Sequence, residues 1–226
     1  MTKEEKLELL RQSGVIAIMR ARSSDQLLAA ADAIKAGGVN AIEVTMTTPG
    51  ALDVIRQAVA RYGNDVLFGV GTALDPESAR AAILAGAQFV VSATLNLKTI
   101  KLCRRYSIPV MPGAYTPTEV LTAWEAGADI VKLFPASIGG PEYVKAIKAP
   151  LPQVELMPVG GVDLDNTADF VRAGCQLVAV GSALVDQKLL DARDFDTITL
   201  RARRFREEVA RGRARQVMGW PEKCRK

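Results

Sequence analysis

The chain contains no histidine. That absence excludes a Ser-His-Asp triad, a His-ligated zinc or iron site, and imidazole acid–base chemistry. Proton transfers must use Glu, Asp, Lys, Tyr or water. Cysteine is nearly as scarce: Cys103, Cys175 and Cys224 form no CxxC or other metal-ligand spacing, and an odd, scattered count suggests reduced thiols. Cys103 and Cys175 fall in helical and helix-end patterns and read as core residues, with no histidine to activate either as a nucleophile. Aromatic content of 5% argues against stacking platforms for nucleic acid. No run of about 18 uncharged apolar residues exists, so no membrane helix is expected. "MTKEEKLELLRQSG" lacks an apolar h-region and a small-residue cleavage site. It is not a secretory signal, and a cytoplasmic location is the default expectation.

What is abundant is apolar: 49% of 226 residues, enough for one barrel-sized domain or two small ones. The net charge of +4 is concentrated in the arginine-rich stretch 201–215, which reads as the solvated face of a C-terminal helix. Without a binding motif or interleaved aromatics, neither a nucleic-acid nor a membrane partner is expected.

Short, β-branched apolar runs recur at 15–20, 41–46, 67–72, 89–93, 109–113, 130–135, 155–161 and 177–182, with starts 20 to 26 residues apart. Between them lie amphipathic stretches such as "DPESARAAILAGA" and "TPTEVLTAWEAGA", opening on an acidic or hydroxyl cap and closing on Ala-Gly. Alternating strands and helices predict a parallel sheet with right-handed crossovers. An open doubly wound sheet would place a glycine-rich turn after the first strand, yet "IMRARSSDQ" has none. The expectation is a closed (β/α)8 TIM barrel, a single domain over residues 1–226. An extra N-terminal helix, about 3–13, covers its bottom, and a basic helix and tail, about 194–226, closes the ring.

In such a barrel, chemistry sits at the C-terminal ends of the strands. In "DIVKLFPAS", period-2 alternation puts Ile130, Lys132 and Phe134 on one face and Val131 and Leu133 on the other, so Lys132 turns inward. Burial there lowers a lysine pKa and frees a nucleophilic lone pair. The competing reading is a structural lysine paired to an interior carboxylate. Glu43 shares an inward face with Ala41 and Thr45, where it serves as a proton shuttle, as the ion-pair partner of Lys132, or as both. "PVGGV" and "AVGSA" end the last two strands, placing Gly160, Gly161, Gly181 and Ser182 where barrels bind phosphate. Arg20 closes the first strand and can clamp an anion, or simply reach solvent. Thr72 offers a hydroxyl beside Gly71, as a ligand or as a helix cap. No carboxylate cluster at these strand ends has metal-ligand spacing, so no metal is expected.

The pieces "GVIAIMR", "AGGVNAIEVTMTTPGA", "GVGTALDPE", "MPGAYTPTEV", "VKLFPAS", "PVGGV" and "VGSALV" occur in barrel order over roughly residues 5–210. Together they resemble the class I 2-keto-3-deoxy-6-phosphogluconate / 4-hydroxy-2-oxoglutarate aldolase family. The resemblance implies a cofactor-free homotrimeric lyase. Lys132 would then be the Schiff-base lysine, Glu43 the proton shuttle, and Thr72 and Arg20 carboxylate ligands. Three positions depart from the family pattern. Thr47 stands where some members carry arginine, Ala93 replaces the proline of an "SP" pair, and Val159 replaces the threonine of "TGG". A valine at that position resembles the branch acting on 6-phosphogalactonate. The implied substrate is a 2-keto-3-deoxy-6-phospho sugar acid of gluconate or galactonate type, or 4-hydroxy-2-oxoglutarate. A barrel isomerase or epimerase without a covalent intermediate, and a non-catalytic protein on an aldolase scaffold, are the alternatives.

Overall fold

The computed structural model describes residues 1–20 and 24–218. Among the described residues, nine strands are all paired in parallel: β1 (Val15–Met19), β2 (Ala41–Thr45), β3 (Leu67–Gly71), β4 (Val90–Val91), β5 (Val110–Met111), β6 (Gly113–Ala114), β7 (Val131–Leu133), β8 (Leu156–Pro158) and β9 (Val178–Val180). One sheet runs β5-β4-β3-β2-β1-β9 and the other β6-β7-β8. A Val159–Ala179 bridge joins β8 to β9, and β5 continues into β6 across Pro112, so the two sheets close into an eight-stave barrel. The break at Pro112 has a local cause. Proline has no N–H to give the ladder, although its carbonyl still accepts from Lys132 N at 2.9 Å. The other staves are shorter than their apolar runs, because those runs continue into the loops that carry the site.

Helices α1 (Lys3–Ser13), α2 (Ser24–Ala36), α3 (Ala51–Tyr62), α4 (Pro76–Leu84), α5 (Leu97–Arg105), α6 (Pro117–Glu125), α7 (Gly140–Lys148), α8 (Thr167–Arg172), α9 (Gln187–Ala192) and α10 (Phe195–Met218) follow. Their starts and stops have the expected chemistry. Asp75 caps α4 by accepting from Ser78 N, and Thr116 and Glu119 form a capping box on α6. The Ala-Gly endings of α4, α6 and α8 stop on a right-handed alanine followed by Gly86, Gly127 and Gly174 at φ of 105°, 92° and 110°, where an L side chain is strained. The basic C-terminal segment is helical to Met218; its remaining residues, 219–226, lie outside the described ones.

Alternation along the strands splits the core into two layers. Val15, Ala17, Ile42, Val44 and Phe68 face the helices, whereas Ile16, Ile18, Ala41, Leu67 and Phe89 fill the barrel. The plug at the bottom is α1. It inserts Leu7 and Leu10 into the inner layer and is tied down by Lys3–Asp129 (2.7 Å) and by a two-pronged Arg11–Glu155 contact (3.0 and 2.9 Å). Each buried leucine contributes about 1.5–3 kcal/mol, so packing rather than the ion pairs holds the plug. Among the described residues, no helix is long and apolar enough to cross a membrane, and no cluster of metal-ligating side chains is present.

Candidate active site

Above the apolar plug the barrel interior turns polar. Glu43, opposite Ile18 and Gly69 in the β1–β2–β3 ladder, is 1% exposed. Lys132, opposite Gly113 and Met157, is 5% exposed. Both point inward, and both line one cavity of about 350 Å³. The space for Glu43 is made by glycine: a Cβ at Gly71 would lie 1.7 Å from Glu43 Oε1, and one at Gly69 would lie 2.3 Å from the Phe89 ring. Alternate glycines on the inward face of β3 therefore leave room for a carboxylate above and an aromatic below.

Burial pushes the Glu43 carboxyl above its ordinary value, with the positive charges of Lys132 and Arg20 pulling partly back. Burial lowers the Lys132 pKa, Glu43 opposes that shift, and Arg20 adds to it. Both shifts run toward neutral pH, where a free amine and an exchangeable carboxyl proton are useful. Glu43 Oε2 is buried and, among the described residues, has no hydrogen-bond partner. A carboxylate oxygen of this kind needs a donor from outside the protein or a proton of its own. Lys132 Nζ sits over the Phe134 ring, 5.0 Å from its centre, and Phe134 remains 38% exposed. The ring thus covers the ammonium while presenting its other side to solvent.

The cavity gathers Arg20, Thr72, Phe134, Gly160, Gly161, Gly181 and Ser182 around the pair, as well as Ala93 and Val159. Thr72 is not a helix cap, since Asp75 performs that role for α4. It is held at φ +57°, a left-handed conformation costing a β-branched residue on the order of 1–3 kcal/mol. Thr47 is the exception among the expected residues. It is exposed, its hydroxyl lies 2.9 Å from that of Thr45, and it is not among the cavity-lining residues. Its place two residues past the end of β2 turns it toward the buried Thr45–Thr48 pair.

At the rim, Gly160 and Gly161 both adopt left-handed φ, 86° and 78°. The chain after β9 makes one helical turn, with Leu184 N and Val185 N donating to Gly181 O at 2.9 and 3.0 Å. Among the described residues, the N–H groups of Gly161, Val162, Ser182 and Ala183 donate no hydrogen bond to protein. Unsatisfied N–H groups converging at one end of a cavity form a cradle for an anion. Val162, Ala183 and Asp163 were not legible as cavity residues, nor was the role of Gly71; period-2 spacing of Gly69 and Gly71 was the available signal. A larger groove of about 580 Å³ beside α5 is lined by Leu97, Lys101 and Arg104 and lies on the outside of the barrel, away from the buried pair.

The sequence profile described as "KDPG and KHG aldolase" matches residues 7–200, and the chain belongs to that family of carbon–carbon lyases. It is 39% identical over 171 residues to the 2-dehydro-3-deoxy-6-phosphogalactonate aldolase of Escherichia coli, covering 75% of this chain and 83% of that one. It is 33% identical to the 2-dehydro-3-deoxy-phosphogluconate aldolase of Haemophilus influenzae, covering 87% and 93%. Among solved structures, one described as native KDPGal superposes with a TM-score of 0.83 at 33% identity over 88% of this chain and 96% of that one. The Legionella pneumophila KDPG aldolase, solved with pyruvate captured as a covalent carbinolamine, superposes with a TM-score of 0.81 at 27% identity over 86% and 95%.

Proposed function

We propose that the chain cleaves 2-keto-3-deoxy-6-phosphogluconate to pyruvate and glyceraldehyde 3-phosphate through an imine on Lys132. The observation that carries this is the buried, inward Lys132–Glu43 pair lining one cavity, with Glu43 Oε2 unpartnered among the described residues. The neutral Nζ adds to the C2 ketone, and the carbinolamine loses water to give the iminium. Glu43, directly or through a water, takes the C4 hydroxyl proton as the C3–C4 bond breaks. The bonding electrons flow into the iminium as an enamine, and the aldehyde leaves. Glu43 returns a proton to C3, and hydrolysis frees pyruvate and the lysine. Arg20 and Thr72 hold the substrate carboxylate, Phe134 walls the reacting carbons, and Gly160, Gly161, Gly181 and Ser182 receive the phosphate.

The galactonate-type epimer is the second reading, favoured by Val159 and by the 39% identity to an enzyme of that name. The two substrates differ in configuration at C4, the carbon whose hydroxyl meets Glu43. 4-Hydroxy-2-oxoglutarate, cleaved to pyruvate and glyoxylate, is the unphosphorylated candidate. A lactate dehydrogenase-coupled assay of pyruvate release from all three ranks them, and no release from any of them overturns the proposal. We also propose that the chain acts in the cytoplasm as one barrel domain assembled into a homotrimer. A 33% identical structure is described as a cage made by fusing symmetric oligomeric domains, which supports self-assembly. Sedimentation measures the subunit count.

A further inference from the structure

The phosphate rim poses a mechanical problem. Two consecutive glycines in left-handed φ have little intrinsic reason to stay in one conformation, since glycine loses more freedom on ordering than any other residue. Something outside the loop must hold them, and Asn166 does. Its Nδ2 donates to Gly161 O at 2.8 Å, and its Oδ1 accepts from Asp163 N at 3.0 Å. Asp163 Oδ1 in turn accepts from Asn166 N and Asp165 N, both at 3.0 Å, and Thr167 Oγ1 donates to Asp163 O. Asn166 occupies the N-cap position of α8 but makes no side-chain cap there; its amide is committed to the glycine loop instead.

A trans peptide aims its C=O and N–H in opposite directions. Pinning the Gly161 carbonyl on Asn166 therefore turns the N–H of the next residue, Val162, the other way. Val162 buries its side chain in the helix-facing layer yet lines the cavity, so its backbone is what faces the substrate. That N–H donates to no protein acceptor among the described residues. We propose that Asn166, which does not touch substrate, is the positioning residue of the phosphate end, locking the Gly161–Val162 peptide so that the Val162 N–H is presented to the phosphate. The inference rests on the reading of the rim as a phosphate site.

The test compares wild type, Asn166→Ala and Asn166→Ser. Serine is neutral, too short to reach Gly161, and better suited than alanine to the position before a helix, so it serves should the alanine variant fold poorly. The first readout is protection from thermal unfolding by inorganic phosphate. Wild type gains stability, and both variants lose most of that gain. The second is the KM for the phosphorylated keto acid, expected to rise about tenfold, the weight of one charge-assisted hydrogen bond. The third is borohydride trapping of pyruvate, which involves no phosphate and stays at the wild-type rate. No protection of wild type by phosphate, unchanged protection in the serine variant, or a parallel loss of trapping and phosphate response overturns the positioning role. Phosphate protection that depends on Asn166, in a wild type that traps no pyruvate, would leave this inference standing and overturn the aldolase proposal instead.

Discussion

Gly71→Ala tests the geometry of Glu43, the proposed acid–base group, without touching its chemistry. Gly71 lies at the end of β3 with a φ open to any residue, so alanine meets no backbone strain. Its Cβ, however, would fall 1.7, 2.3 and 2.6 Å from Glu43 Oε1, Cδ and Cγ, against an ordinary contact of 3.4 Å or more. Three successive atoms overlap, so turning the carboxylate alone does not relieve the clash, and Glu43 has to leave its rotamer. The Glu43 backbone cannot follow, being held on both sides by β1 and β3. Such overpacking costs about 1–3 kcal/mol of stability. Displacing a general acid–base group forfeits about 10²–10⁴-fold in rate. The assay is coupled pyruvate release together with a thermal melt. Gly69→Ala is the control, since its Cβ meets the Phe89 ring below the site, giving a similar loss of Tm but near-normal kcat in the folded protein. A Gly71→Ala enzyme within about threefold of wild-type kcat would refute the view that Glu43 works from the position seen here.

Other consequences concern charge and packing. The negative charge of Glu43 raises the Lys132 pKa against the effect of burial, so Glu43→Gln moves the alkaline rise of pyruvate trapping to lower pH; a move upward contradicts the pairing. Because the folded pKa of Glu43 is raised, stability falls as pH climbs above the ordinary carboxylate value of 4.5. Because that of Lys132 is lowered, stability also falls as pH drops below 10.5. Both penalties operate at pH 7, so Glu43→Gln with Lys132→Met is inactive and as stable as wild type or more so, by up to about 4 kcal/mol; a clear fall in Tm speaks against it. Burial pushes the thiols of Cys103 and Cys175 up to about 12, so peptide mapping after alkylation at pH 8 finds both unlabelled until the protein is unfolded.

Much of this was written in the sequence because a parallel barrel reports its own geometry. Period-2 alternation in 130–134 and 41–45 turned Lys132 and Glu43 inward, and the interior layer of Ile16, Ile18, Ala41 and Ile130 has the same phase. What escaped depends on distances between segments far apart in the chain. That Gly71 exists to make room for Glu43 is a fact about two strands in register, and that Thr47 turns to Thr45 is a fact about a loop after the strand has ended. Asn166 stands at the head of α8, where its residue type most often caps a helix, yet the structure commits its amide to Gly161. Pro112 divides a stave where the run 109–113 reads as one strand; its missing N–H was the available signal.

The central claim is that a buried lysine in the middle of β7 is the nucleophile. Reduction with borohydride in the presence of pyruvate, followed by peptide mass mapping, tests it most directly. The account predicts one pyruvyl adduct per chain, on Lys132, absent from Lys132→Ala and still formed in Asn166→Ser. An unmodified wild-type chain, or an adduct that survives in Lys132→Ala, would contradict it.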